Sequence, residues 1–194
     1  AGPLRRMGIR LLALDVDGTV ADGAGAAVPE RNRQAVRAAQ AAGVYVTLAT
    51  GRSCVASRHF WEALNIEGPS IQFGGAMTVD TRDGSVLEQK LLLPELVTDV
   101  LAAASESGLR AQIYRGDPVV SDRMNEGYLA FVRRCGIPYV IDPEFRAKRY
   151  EDVQKILVFA EPEREPEMRA AFTKRLSGRA HIARSMTHFI EINQ

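Results

Sequence analysis

Apolar positions fall along this chain in two rhythms: short, nearly unbroken runs, and a helical spacing between them. Ile9 to Leu14 is apolar except for Arg10, and Val44 to Ala49 is a second such run. Runs of this kind read as strands buried on both faces, as in a parallel sheet. Between them Pro29 opens a helix in which Ala35, Val36, Ala39 and Ala42 recur on one side, with Gly43 at the C-terminal cap position. A helix from about Ser53 to Leu64 then leads to a short strand, Ser70 to Phe73. Strand, helix, strand, helix, strand is the order of a right-handed parallel α/β sheet.

After Gly75 the rhythm changes. Met77 to Val79 and Val86 to Leu93 read as strands around the turn Arg82-Asp83-Gly84. Pro94 starts a helix with Val97, Val100, Leu101 and Ala104 on one face, ended by Gly108. A hairpin is expected from Leu109 to Tyr114 and Val119 to Ser121. A helix carrying Met124, Tyr128, Phe131, Val132 and Cys135 follows. Gln154 to Ala160, Ala180 to Ser185 and His188 to Ile192 read as strands, with a helix over Glu163 to Leu176. The mixture suggests a separate α+β domain, from about residue 86 to 188. The expected division is 1–85 for the N-terminal part of the core, 86–188 for the inserted domain, and 189–194 for a return strand towards the core. Three parallel strands make an unfinished sheet with an open edge, so the natural chain is expected to continue past Gln194.

Composition adds little to this division but narrows the function. With 25 basic and 24 acidic residues, formal net charge +1, no overall basic field favours nucleic acid. No apolar run approaches a membrane span. Cys54 and Cys135 match no metal spacing, and neither do His59, His181 and His188. Two distant cysteines read as buried or half-buried thiols of a reducing compartment, and with the lack of an apolar leader the expectation is the cytoplasm.

The densest chemistry is Asp15-Val16-Asp17-Gly18-Thr19, directly after the first apolar run. Ligands of open α/β sheets bind outside the carboxyl ends of the strands. Alternate residues of an extended chain leave on one side, so Asp15 and Asp17 suit a hard cation such as magnesium. Gly18 permits a sharp exit, and Thr19 offers a hydroxyl to a phosphate. A calcium-binding loop would need Gly at its sixth position and Glu at its twelfth. Val20 and Ala26 stand there instead.

This segment resembles the first motif of the haloacid dehalogenase superfamily phosphatases. Thr47-Leu48-Ala49-Thr50-Gly51-Arg52 resembles the second, in the form of the Cof-like branch. That branch follows its second motif with a short strand and an Asn-Gly-Ala turn. Gln72-Phe73-Gly74-Gly75-Ala76 stands in that place, with Gly74 where the Asn usually is. Gln154-Lys155-Ile156-Leu157 and Phe189-Ile190-Glu191-Ile192 look like cap strands of the same branch.

The resemblance implies a Rossmann-like core with an inserted α+β cap, and magnesium-dependent hydrolysis of a small phosphorylated metabolite. It makes Asp15 the nucleophile and a magnesium ligand. Asp17 becomes the general acid and base, with its carbonyl on the metal, and Thr50 a ligand of the transferring phosphoryl group. Gly18, Thr19, Gly51, Gly74 and Gly75 are expected to line the phosphate. Arg52 either faces that phosphate or pairs with a carboxylate at the helix entry. The family's third motif, a Lys, and its fourth, an acidic pair, do not occur after Gly75. Two other readings are a sugar phosphomutase-type phosphotransferase and a non-catalytic phosphate-binding module, though a binding module has no need of a nucleophile.

Overall fold

The computed structural model describes residues 8–22, 27–124 and 126–194. The chain divides into two compact units, Ala1–Gln89 and Lys90–Gln194. The first holds β1 (Leu11–Leu14), α1 (Glu30–Ala41), β2 (Tyr45–Leu48), α2 (Cys54–Leu64), β3 (Pro69–Gln72), β4 (Met77–Asp80) and β5 (Val86–Gln89). β1 runs parallel to β2, from Leu11 opposite Tyr45 to Leu14 opposite Leu48. A parallel bridge between Ala49 and Ile71 carries this order on to β3, and β3, β4 and β5 continue as an antiparallel meander.

The crossover from α1 to β2 is set by the residue placed at 43. The Gly43 N–H bonds the Gln40 carbonyl at 2.8 Å and the Val44 N–H reaches back to Ala39 at 3.1 Å. This paired closure needs a left-handed residue after the helix, and Gly43 has φ +80°. Inside the unit Leu48, Phe60, Leu64 and Phe73 are fully buried. The first strand is less covered than its run of apolar residues implies. Leu11 is 57% exposed, and the strand alternates between exposed and half-buried positions. Among the described strands it pairs with β2.

The second unit holds α3 (Pro94–Glu106), β6 (Arg110–Tyr114), β7 (Val119–Ser121), α4 (Glu126–Arg134), β8 (Tyr139–Ile141), β9 (Lys155–Phe159), α5 (Glu165–Arg175), β10 (His181–Met186) and β11 (Phe189–Asn193). Its six-stranded sheet has the order β10-β11-β9-β6-β7-β8. Leu96, Val100 and Ala104 of α3 and Phe172 of α5 form one core with Ile113, Ile156, Val158, Ile190 and Ile192 of the sheet. Each such fully buried aliphatic side chain stabilises by roughly 1.5–3 kcal/mol. On the alternate positions Gln112, Tyr114, Lys155, Glu191 and Asn193 are buried too, so this face carries polar groups.

Two boundaries differ from the sequence reading. β5 pairs with β4, so the first unit ends at Gln89 and not at residue 85. Residues 189–194, expected as a return strand, carry β11 of the second unit. β11 hydrogen-bonds β9 on one side and β10 on the other, with Ile190 and Ile192 wholly buried in the second unit's core.

Candidate active site

β1 delivers Asp15 at its carboxyl end, and the segment beyond it is tied down by backbone bonds. The Val16 carbonyl accepts the N–H groups of Thr19, Val20 and Ala21 at 3.3, 3.1 and 3.0 Å, and the Gly18 N–H bonds the Ala21 carbonyl at 2.9 Å. Gly18 takes φ +76°, which a side-chain-bearing residue adopts only under strain. Val16 is completely buried between two exposed aspartates. The alternation therefore anchors the segment through Val16 and turns Asp15 and Asp17 towards solvent.

The end of β2 lies beside this segment, because the Ala49 N–H bonds the Leu14 carbonyl at 2.8 Å. The next residues are built into a small knot. The Thr50 N–H bonds Ile71, its carbonyl accepts from Gly74, and the Phe73 N–H bonds the Arg52 carbonyl. Thr50 is buried, and its Oγ1 accepts the Arg52 backbone N–H at 3.3 Å.

Arg52 is the most constrained charged group of the unit. Its Nε donates to Asp17 Oδ2 at 2.9 Å and its Nη2 to Asp17 Oδ1 at 2.6 Å. Nη1 donates to the Ala56 carbonyl at 3.2 Å, and the guanidinium lies 4.9 Å from the centre of the Phe60 ring. The side chain is 6% exposed. Of the two roles open to Arg52, the structure has it paired with a carboxylate. His59, one turn along the same helix, is pushed below the ordinary histidine range by burial first and by Arg52 second.

Gly74 and Gly75 form the turn after β3, with φ +65° and +103°. The left-handed region at 74 is one that Gly and Asn both adopt readily. Gly in place of Asn thus keeps the backbone path and removes the amide. Thr19 is exposed, and its carbonyl accepts from Asn32 Nδ2 at 3.3 Å. Gly51 lies between Thr50 and Arg52 in the knot. Sequence reasoning missed the support behind the turn. Ser57 Oγ donates to Gln72 Oε1 at 2.8 Å, Gln72 Nε2 to Ser70 Oγ at 2.9 Å, and Ser70 Oγ to the Leu48 carbonyl at 3.3 Å. All three side chains are fully buried. In β3 it is the polar Ser70 and Gln72 that are buried while Pro69 and Ile71 are exposed, an inversion that hydrophobic patterning does not reveal.

The donors available to a metal here are the Asp15 carboxylate and the Asp17 backbone carbonyl, both hard oxygens that fit a magnesium ion. Among the described residues no group of three or more His, Cys, Asp or Glu side chains is placed to hold a metal. Nor is any helix among them long and apolar enough to cross a membrane.

Comparison with known proteins covers nearly the whole chain. The family described as haloacid dehalogenase-like hydrolase matches residues 12–194. The chain is 34% identical over 84 residues to the 5-amino-6-(5-phospho-D-ribitylamino)uracil phosphatase YcsE of Bacillus subtilis (strain 168), a stretch that spans 43% of this chain and 33% of that protein. Its fold is similar to a haloacid dehalogenase-like hydrolase from Bacteroides thetaiotaomicron, with TM-score 0.80 and 20% identity, covering 95% of this chain and 71% of that one. It is also similar to the subclass IIB sugar phosphatase BT4131, with TM-score 0.73 and 21% identity, covering 95% and 69%. The Cof-like branch expected from the motifs agrees with these relatives.

Proposed function

The chain belongs to the haloacid dehalogenase-like hydrolases, and from that premise we propose that the protein is a magnesium-dependent phosphomonoesterase acting on a small phosphorylated metabolite, with a sugar phosphate as the favoured class. One observation carries the reading. Asp15 and Asp17 flank a buried Val16 at the carboxyl end of a parallel strand, and a buried arginine grips the second of them. Two nearby relatives point the same way, since one is named as a phosphatase of a phosphorylated ribityl compound and another as a sugar phosphatase.

In this reading Asp15 attacks the phosphorus and forms an aspartyl-phosphate, which divides hydrolysis into two easier steps. Asp17 gives a proton to the departing alkoxide and then takes one from the attacking water. Thr50 and the Asp17 backbone amide beside Gly18 stabilise the equatorial phosphoryl oxygens. Asp15 and the Asp17 carbonyl would hold magnesium, which offsets the repulsion between a carboxylate and a phosphate dianion. Two protein oxygens are few for an ion that requires near-octahedral coordination, so calorimetric titration of this chain alone should show weak magnesium binding.

The test is turnover in the natural protein. Asp15→Asn is expected to abolish phosphate release from sugar phosphates, because an amide is a poor nucleophile. Asp17→Asn should slow it by about 10²–10⁴-fold with the fold intact. Undiminished turnover in purified Asp15→Asn protein excludes the mechanism. Transfer of phosphate to a second hydroxyl in preference to water would move the reading to a phosphotransferase.

A further inference from the structure

Arg52 follows the residue proposed to bind phosphate and was itself a candidate phosphate ligand. The geometry assigns it a different task, one that rests on the phosphatase reading above: Arg52 is a positioning residue that holds Asp17 for proton transfer, and it does not bind the phosphate. Both Asp17 carboxylate oxygens accept from one guanidinium, at 2.9 and 2.6 Å. A bidentate fork of this kind fixes the plane of a carboxylate as well as its distance. The fork is itself held on the far side. Its third nitrogen donates to the Ala56 carbonyl inside α2, and its face lies against Phe60, which is fully buried. Asp17 is much less restrained by its own surroundings, since its side chain is 39% exposed while that of Arg52 is 6% exposed. The order of Asp17 is therefore borrowed from α2 through Arg52.

The consequence is specific to one part of the reaction. In the first step Asp15 forms a bond to phosphorus, the bond from phosphorus to the leaving oxygen breaks, and its electron pair leaves on that oxygen. Asp17, which enters this step protonated on a lone pair that the fork leaves free, gives its proton to the same oxygen. In the second step water attacks phosphorus, its proton returns to Asp17, and Asp15 is released. A residue that acts only by aiming Asp17 matters where proton delivery matters. An alkyl leaving group needs the proton, whereas p-nitrophenolate departs without it.

The experiment compares Arg52→Gln with the natural protein on an alkyl phosphate and on p-nitrophenyl phosphate, with the first turnover measured separately from the steady state. The expected result is a loss of about 10²-fold in the first turnover of the alkyl phosphate. The p-nitrophenyl phosphate burst should stay within about threefold, as should inhibition by inorganic phosphate. Combined with Asp17→Asn, Arg52→Gln should cost nothing further, because two residues acting as a unit are not additive. Added guanidinium should restore part of the alkyl phosphate rate. If Arg52→Gln fails to fold, Arg52→Lys keeps the charge and loses the fork, and the same contrast is read from it. Equal loss on both substrates with a matching rise in KM and weaker inhibition by inorganic phosphate would make Arg52 a phosphate ligand and overturn the assignment. Failure of the phosphatase reading looks different: Asp15→Asn would then retain its turnover.

Discussion

Asp80 closes β4 with its carboxylate gripped by the side chain of Arg82, two residues on, and by that residue's backbone N–H at 3.0 Å. Arg82 holds the acid down to about 2, its side-chain bonds first and its backbone bond second. A carboxyl group with a depressed value in the folded chain stabilises it above the unfolded value. That contribution fades as pH falls from about 3.8 to about 2. Asp80→Asn should therefore lower the melting temperature at neutral pH and leave it unchanged near pH 2. A variant whose loss persists undiminished at pH 2 would mean that Asp80 acts through shape and not through charge. At this same scale the sequence was an uneven guide to the site. Asp15, Asp17 and Gly18 could be singled out because their chemistry and their place after an apolar run coincide, and Thr50 through the resemblance of its segment to the family's second motif. The partner of Arg52 was not legible, because Asp17 is 35 residues away along the chain. The chain Ser57–Gln72–Ser70 was not legible either, since buried polar residues satisfied by one another leave no periodic mark.

At the scale of elements, order and type followed from periodicity almost throughout, and the failures have causes. β8 has three exposed residues, Tyr139 to Ile141, too short a run to stand out. β11 was read both as a cap strand and as a return strand, because Ile190 and Ile192 would suit either core, and it pairs with β9 and β10. The same strand carries Glu191, whose carboxylate lies 3.7 Å from Lys155 Nζ on β9, with both side chains at most 10% exposed. Burial draws the Lys155 ammonium below the usual lysine range, and Glu191 opposes that shift. The ammonium also sits 4.7 Å over the Tyr114 ring. Breaking a buried pair from one side costs about 3–5 kcal/mol, whereas replacing both members by apolar side chains is often neutral. Glu191→Leu alone is therefore expected to destabilise by about that amount, and Glu191→Leu with Lys155→Met by much less. Urea unfolding of the three proteins decides the matter, and a double variant as weak as the single one counts against the pair as the cause.

At the scale of the molecule, each unit buries apolar side chains of its own and leaves others exposed, Leu11 in the first and Leu93 in the second among them. The second draws its whole core, from Leu92 to Ile192, out of its own residues, with two helices against one face of six strands. The first buries Leu48, Phe60, Leu64 and Phe73 and leaves Leu11 57% and Tyr45 38% exposed on its two parallel strands, as the second leaves Leu93 60% exposed. Stability comes chiefly from apolar area removed from water, and a unit that buries its own core needs no other for cooperativity. The division at Gln89 and Lys90 was placed four residues early by the sequence because the register of β5 on β4 cannot be read from β5 alone, whose residues are all exposed. Expressed alone, Lys90–Gln194 should be folded, and urea should unfold it in one transition with a slope of about 1–3 kcal/mol per molar. Residues 1–89 alone should melt lower and associate through the exposed strands. Circular dichroism and sedimentation of both fragments test this. A second unit that unfolds without a cooperative transition would show that its core, though assembled from its own side chains, depends on the first unit for its stability.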